Sequence, residues 1–201
     1  MLAAAAKDAL SLYKENIGSL KIDCDYIETD AVLFGVDDEQ SEELDEILHA
    51  SINAGIGVQY VDKIPVQMPF KKALSFPWQA QIHPAKYVYA LARAFEQAGG
   101  VILDKCLISK TDGKEVQTIH SGRGELQARN IIYATHIPPG VNVLNLRCAP
   151  YRSYVLAVEL ADGQYPANPC YDMMDPYHYY RTQEIDGRKY LIAGGRRFAG
   201  G

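Results

Sequence analysis

Gln81-Ile82-His83-Pro84-Ala85-Lys86-Tyr87-Val88-Tyr89-Ala90-Leu91-Ala92-Arg93-Ala94-Phe95-Glu96-Gln97-Ala98-Gly99-Gly100 is the stretch on which the fold turns. Proline suits the first helical position, where its missing N–H costs nothing. Tyr87, Val88, Leu91, Phe95 and Ala98 then make one apolar stripe at three- and four-residue steps. Gly99-Gly100 stops the helix. Three strands are predicted directly after it, over 101–109, 115–120 and 125–135. Thr111-Asp112-Gly113-Lys114 and Ser121-Gly122-Arg123-Gly124 are hairpin-type connections between them. The third strand ends in Ile131-Ile132-Tyr133-Ala134-Thr135, an apolar run of the kind found in a strand buried on both faces.

Upstream, Leu2, Ala5, Ala6, Ala9, Leu10, Tyr13 and Ile17 recur at helical spacing, with Gly18 as the expected stop. Residues 21–36 read as extended. Asp37 or Asp38 then caps a helix with Leu44, Ile47, Leu48 and Ile52 on one face, and Gly55 and Gly57 end it. Residues 58–82 hold Pro65, Pro69 and Pro77 among apolar residues, the composition of short strands and loops, with Trp78 expected in the core. Downstream of the Ile137–Gly140 loop, strands are predicted over 153–161, 177–182 and 189–194, the last two joined through Asp186-Gly187. The chain opens inside a helix without a cap and ends in a glycine-rich turn after a strand, so it reads as an internal piece of a longer protein.

Composition narrows the function classes. A 201-residue chain with 48% apolar and 22% charged residues is neither disordered nor fibrous. A formal net charge of −5 without a basic block argues against a phosphate-backbone partner, so no nucleic acid is expected. No apolar run approaches the roughly 20 residues of a membrane span, and no signal peptide is evident. Cys24, Cys106, Cys148 and Cys170 form no metal-binding or redox spacing, so no metal is expected and a cytoplasmic setting fits best. No GxSxG, HExxH or phosphate loop is present, and no self-contained catalytic residue stands out.

The densest polar and aromatic constellation is Tyr177-His178-Tyr179-Tyr180-Arg181. On a strand, Tyr177, Tyr179 and Arg181 share one face while His178 and Tyr180 share the other. Two phenols beside a guanidinium suit a small carboxylate, because arginine forks onto both oxygens and a hydroxyl adds a third bond. An aromatic sheet face with a solvated arginine at its rim is the alternative. His83, beside Pro84, reads as a cap or loop residue. Asp23 and Asp25 read as a solvated strand edge rather than an acid pair.

The order of these parts resembles the FAD-dependent oxidoreductases of the D-amino-acid oxidase, glycine oxidase and sarcosine oxidase superfamily. The resemblance rests on the helix from Gln81-Ile82-His83-Pro84 to Gly99-Gly100, the three strands and Ala134-Thr135-His136. Ala134-Thr135-His136-Ile137-Pro138, Pro150-Tyr151-Arg152-Ser153-Tyr154 and Leu191-Ile192-Ala193-Gly194-Gly195 resemble particularly the bacterial branch whose longer members carry a Rieske domain. It implies an α+β fold: a mixed or antiparallel sheet with helices forming a substrate-binding domain, plus the inner part of a FAD-binding domain with a three-strand meander. The implied division is 1–82 and 137–201 for the substrate domain and 83–136 for the FAD domain.

By the same resemblance, Ile108 would pair with the adenine edge through its backbone. Ala134, Thr135 and His136 would line the adenosine, and Gly194 and Gly195 would approach the flavin. Arg181 with Tyr179 and Tyr177 would clamp the substrate carboxylate. The implied reaction is oxidation of an amino acid or related amine by hydride transfer to flavin N5. Departures are the absent GxGxxG, His136 in place of a glycine, and Arg196-Arg197-Phe198 where an acidic residue and then histidine are usual. Without that glycine-rich turn, this chain alone is expected to bind FAD weakly or not at all and to be inactive. A non-catalytic module binding small molecules or proteins through the aromatic sheet, and a different two-dinucleotide flavoprotein sharing the meander, are the alternatives.

Overall fold

A computed structural model describes residues 2–135 and 151–199. Among the described residues, three helices and ten strands form two compact units, one made of Met1–Leu91 with Tyr151–Gly201 and one of Ala92–Pro150.

The first unit is built on a seven-stranded mixed sheet in the order β2-β3-β1-β8-β9-β10-β7. Its strands are β1 (Ile27–Gly35), β2 (Gln59–Tyr60), β3 (Lys72–Gln81), β7 (Tyr151–Val158), β8 (Cys170–Asp172), β9 (Tyr179–Ile185) and β10 (Arg188–Ala199). All neighbouring pairs are antiparallel except β1 and β8, which run parallel. Alternation along β1 sends Val32 and Phe34 to one face and Leu33 to the other. On one side Val32, Phe34, Ala73 and Cys170 are sealed by Val61, Ile64, Val66 and Phe70. On the other, Leu74 and Leu33 meet Leu44 and Leu48 of α2 (Asp38–Asn53). Asp37 caps α2, its Oδ1 accepting from the Gln40 N–H at 2.9 Å. A third cluster joins Ile22 and Cys24 to Tyr87 of α3 (Pro84–Gln97). His83 precedes α3 as a weak cap, its Nδ1 3.4 Å from the Lys86 N–H.

The second unit carries the antiparallel meander β4 (Ile108–Gly113), β5 (Gln117–Ser121) and β6 (Gly124–Ala128). Gly113 is required at its first turn: its φ is +115°, and a Cβ there would collide with the Val116 carbonyl oxygen. No buried hydrophobic side chain among the described residues belongs to this unit.

Several expectations need correcting. Helix α1 runs through Gly18 to Leu20 and ends at Lys21, whose φ is +51°; one glycine in an exposed helix is only a modest penalty. Trp78 is 64% exposed rather than core, because a bulge between Thr29 and Ala31 turns it outward at φ +57°. The meander is shifted: 101–107 is not strand, and the first hairpin turns at 114–116. The run Ile131–Thr135 is not a buried strand either, and Ile132 is 91% exposed. Such a run needs ladder partners on both sides, and none is recorded for it among the described residues. Residues 21–26 are loop, with Asp25 paired to Lys86 at 2.8 Å rather than left on a solvated strand edge. Strand β8 has no counterpart in the sequence reading; three residues are too short to show a period.

Candidate functional site on the β8-β9-β10 sheet

Strand β9 begins at Tyr179 rather than at Tyr177 as expected, so it holds Tyr179, Tyr180 and Arg181 while Tyr177 and His178 lead into it, and its neighbours decide what each side chain meets. Tyr179 lies opposite Tyr171 and Gly194, while Tyr180 lies opposite Cys170 and Ala193. Side chains of laterally paired residues share a face, so two different surfaces result.

The first surface gathers Tyr171, Tyr177, Tyr179 and Arg181. The Tyr171 hydroxyl is held above the ordinary phenol range by burial and by the neighbouring Tyr177, with the Arg181 charge opposing. The three predicted residues therefore do come together, and Tyr171 joins them; its one-residue position on a very short strand gave no sequence signal. Arg181 is partly buried, and its guanidinium donates to the Ile82 carbonyl at 3.1 Å. That bond fixes the plane of the fork while using one of five N–H donors.

The opposite surface carries His178 and Tyr180. Asp172, with its side chain 2% exposed, places Oδ2 2.8 Å from His178 Nδ1. Its Oδ1 accepts from the backbone N–H groups of His178 at 2.7 Å and Met174 at 3.2 Å. The Asp172 N–H in turn donates to the His178 carbonyl at 3.1 Å, closing the loop between the two residues. Burial, with Asp172 adding to it, pushes the Cys170 thiol up to about 12. Burial, Asp172 and Cys170 likewise raise the Tyr180 phenol. A pocket of about 250 Å³ opens on this surface, lined by Tyr154, Leu156, His178, Tyr180, Ala193, Gly194 and Gly195. The sequence reading put His178 on this face but missed Asp172. An acidic residue two positions after Cys170, and so on the same side of an extended chain, is the signal that could have found it.

Gly194 and Gly195 sit between these surfaces. A Cβ on Gly194 would fall within the Tyr179 ring, and one on Gly195 against the His178 ring. Both positions need glycine for packing within this chain. A larger cleft of about 800 Å³ on the same unit is lined by Gln81, whose buried Oε1 accepts no hydrogen bond among the described residues.

In the second unit Ile108 opens β4 opposite Ser121 and is 45% exposed. Ala134 and Thr135 follow Tyr133, whose hydroxyl lies 2.7 Å from Thr111 Oγ1 on β4. Both are exposed. His136 lies outside the described residues. An exposed strand edge at Ile108 suits the adenosine part of a dinucleotide. The diphosphate part has no glycine-rich turn in this sequence to hold it. No group of acidic, histidine or cysteine side chains among the described residues is arranged to hold a metal, and no helix among them is long and apolar enough to cross a membrane.

Known proteins share the fold of this chain. A Bacillus subtilis (strain 168) protein, YhfW, described as a Rieske 2Fe-2S iron-sulfur protein, is 27% identical over 194 residues, covering 95% of this chain and 38% of its own length. Glycine oxidase from Geobacillus kaustophilus superposes with a TM-score of 0.73 at 15% identity, over 95% of this chain and 53% of that one. L-proline dehydrogenase from P. horikoshii gives 0.72 at 14% identity, over 96% of this chain and 55% of that one. The chain thus spans between about two fifths and just over half of these relatives, and the structural likeness establishes the mixed α/β fold. The family model described as FAD dependent oxidoreductase matches residues 1–201, from end to end; this chain belongs to that family.

Proposed function

We propose that the full-length protein oxidises an amino acid or related amine, with FAD as its cofactor. The observation that carries this reading is the segment from β8 into β9: it sets a guanidinium among three phenols on one surface and an imidazole over a small pocket on the other. The family supports the cofactor, and structural neighbours such as NikD, described as an unusual amino acid oxidase, support the substrate class. When bound, FAD supplies the acceptor for the hydride leaving the substrate Cα, and an imine results.

This chain's residues bind and orient. Arg181, with Tyr179 and Tyr177, is the proposed clamp for the substrate carboxylate, its plane set by the Ile82 carbonyl. Ile108, Ala134, Thr135 and His136 are proposed to line the adenosine. Gly194 and Gly195 are proposed to border the flavin. Residues 1–82 and 137–201 are read as substrate-domain segments and 83–136 as part of the FAD domain. The exposed apolar side chains of 101–107 and 131–133 are read as surface that the rest of the protein covers. The isolated chain is proposed to be inactive and to hold FAD weakly or not at all, since the charge-assisted diphosphate contacts are missing.

A second placement of the substrate is favoured by the pocket beside Gly194 and Gly195. At about 250 Å³ it lies below the roughly 300–1,000 Å³ of drug-sized sites and suits a small amine. Kinetics of full-length Arg181→Ala on amino acids and on the matching amines lacking the carboxylate separate the two. A clamp predicts a loss of about 10- to 150-fold in kcat/KM for the amino acid only, the worth of a charge-assisted bond. Unchanged kinetics on every amino acid oxidised would remove the clamp and leave the pocket.

A further inference from the structure

The Asp172–His178 pair lies on the surface opposite the proposed carboxylate clamp, and Asp172 holds His178 through both its backbone and its ring. The parallel register of β8 on β1 fixes Asp172 opposite Phe34, and the Met173 N–H donates to the Phe34 carbonyl. The two backbone N–H groups on Oδ1 would be satisfied by a neutral asparagine. A buried carboxylate instead costs desolvation free energy unless it is well paired, and the third partner here is the His178 ring. A carboxylate only accepts, so the Asp172 contact places the proton on Nδ1 and leaves Nε2 of the neutral imidazole as an acceptor. His178 lines the 250 Å³ pocket together with Gly195, where an added Cβ would collide with the His178 ring at Cδ2. Tyr154 and Tyr180 are the other titratable side chains described along that wall, and Cys170 lies behind Asp172.

We propose that His178 Nε2 accepts a proton from the ammonium group of an amine or amino-acid substrate seated in this pocket, with Asp172 as its positioning residue. This rests on the amine-oxidation reading and on the second placement of the substrate. The substrate N–H bond breaks, an Nε2–H bond forms, and the ammonium becomes the neutral amine from which a hydride can leave. The imidazolium so formed is stabilised by the Asp172 carboxylate. No electron changes hands in this step. Asp172 fixes the tautomer, His178 lines the pocket, and the missing side chain at residue 195 leaves room beside the ring.

Two readouts test the pair in the full-length protein. The first is the ¹⁵N spectrum of His178, which needs no turnover. It should report the Nδ1–H tautomer in the wild type and lose that preference in Asp172→Asn. The second is the pH profile of kcat/KM on an amine. The wild-type profile should fall on the acid side. In His178→Gln kcat/KM should drop by about 100-fold or more near neutrality, the usual worth of a positioned base. It should recover as the pH rises and the amine deprotonates on its own. Added imidazole should restore activity to His178→Gly, which distinguishes lost chemistry from lost packing. An Nε2–H tautomer in the wild type, or an active flavoprotein whose His178→Gln profile matches the wild type, would overturn the proposal. A full-length protein that binds no flavin would instead bring down the amine-oxidation reading on which it stands.

Discussion

Gly194→Ala isolates one contact that the site depends on. Gly194 is buried in β10 opposite Tyr179, and its φ lies outside the left-handed region, so alanine meets no backbone strain. The conflict is steric alone, because the new methyl group would fall within the Tyr179 ring. Tyr179 is partly exposed and can swing outward, so the cost is that of an overpacked site with a displaced rotamer, about 1–3 kcal/mol. The assay is equilibrium urea unfolding of the full-length protein, followed by circular dichroism, for Gly194→Ala, Tyr179→Ala and the double variant. Removing the ring removes the clash, so the double variant should be more stable than the sum of the singles predicts by about 1 kcal/mol or more. The same variant should also loosen the Tyr171–Arg181 surface and raise KM for an amino acid. Strict additivity would refute the packing account of Gly194.

Other residues give sharper tests of the fold. Phe34→Ala, at a fully buried position against Val32, Ala73 and Cys170, should cost about 3–5 kcal/mol in the same unfolding assay. Asp37→Ala should cost about 1 kcal/mol by releasing the Gln40 N–H at the start of α2. Asp38→Ala, which loses only the exposed pair with Lys71, should cost about 0–1 kcal/mol. The Cys170 thiol, raised in the fold to about 12, should resist a disulfide reagent at pH 8 until the protein unfolds. Its sign follows from the raised value. The contribution is complete below the unfolded-state thiol value and falls as pH climbs toward 12, by up to about 1.4 kcal/mol per pH unit, a loss absent in Cys170→Ala.

Local chemistry made much of this fold legible in the sequence. Proline at the start of α3, Gly99 after it, the Asp37 cap and the glycines of the meander turns each fix backbone geometry within a few residues. The alternation of Tyr179, Tyr180 and Arg181 follows the two faces of β9, whereas Tyr177 and His178, expected on the same strand, precede it. What escaped depends on distant partners. Strand β8 is three residues long and exists because β1 and β9 flank it. Trp78 reads as core by composition, yet a bulge, set by the pairing of β1 with β3, rotates it outward. Ile131–Ala134 has the composition of a buried strand, but no strand pairs with it among the described residues. Asp172 became visible as a site residue only when the turn after β8 brought His178 back to it.

The central claim, that this chain works within a FAD-dependent amine oxidoreductase, is tested most directly by the visible absorbance spectrum of the purified full-length protein. It should be recorded anaerobically before and after addition of small amino acids and amines. The account predicts a flavin band that bleaches with at least one of them, while this 201-residue chain purified alone stays colourless. A full-length protein that carries no flavin, even after incubation with FAD, would contradict it.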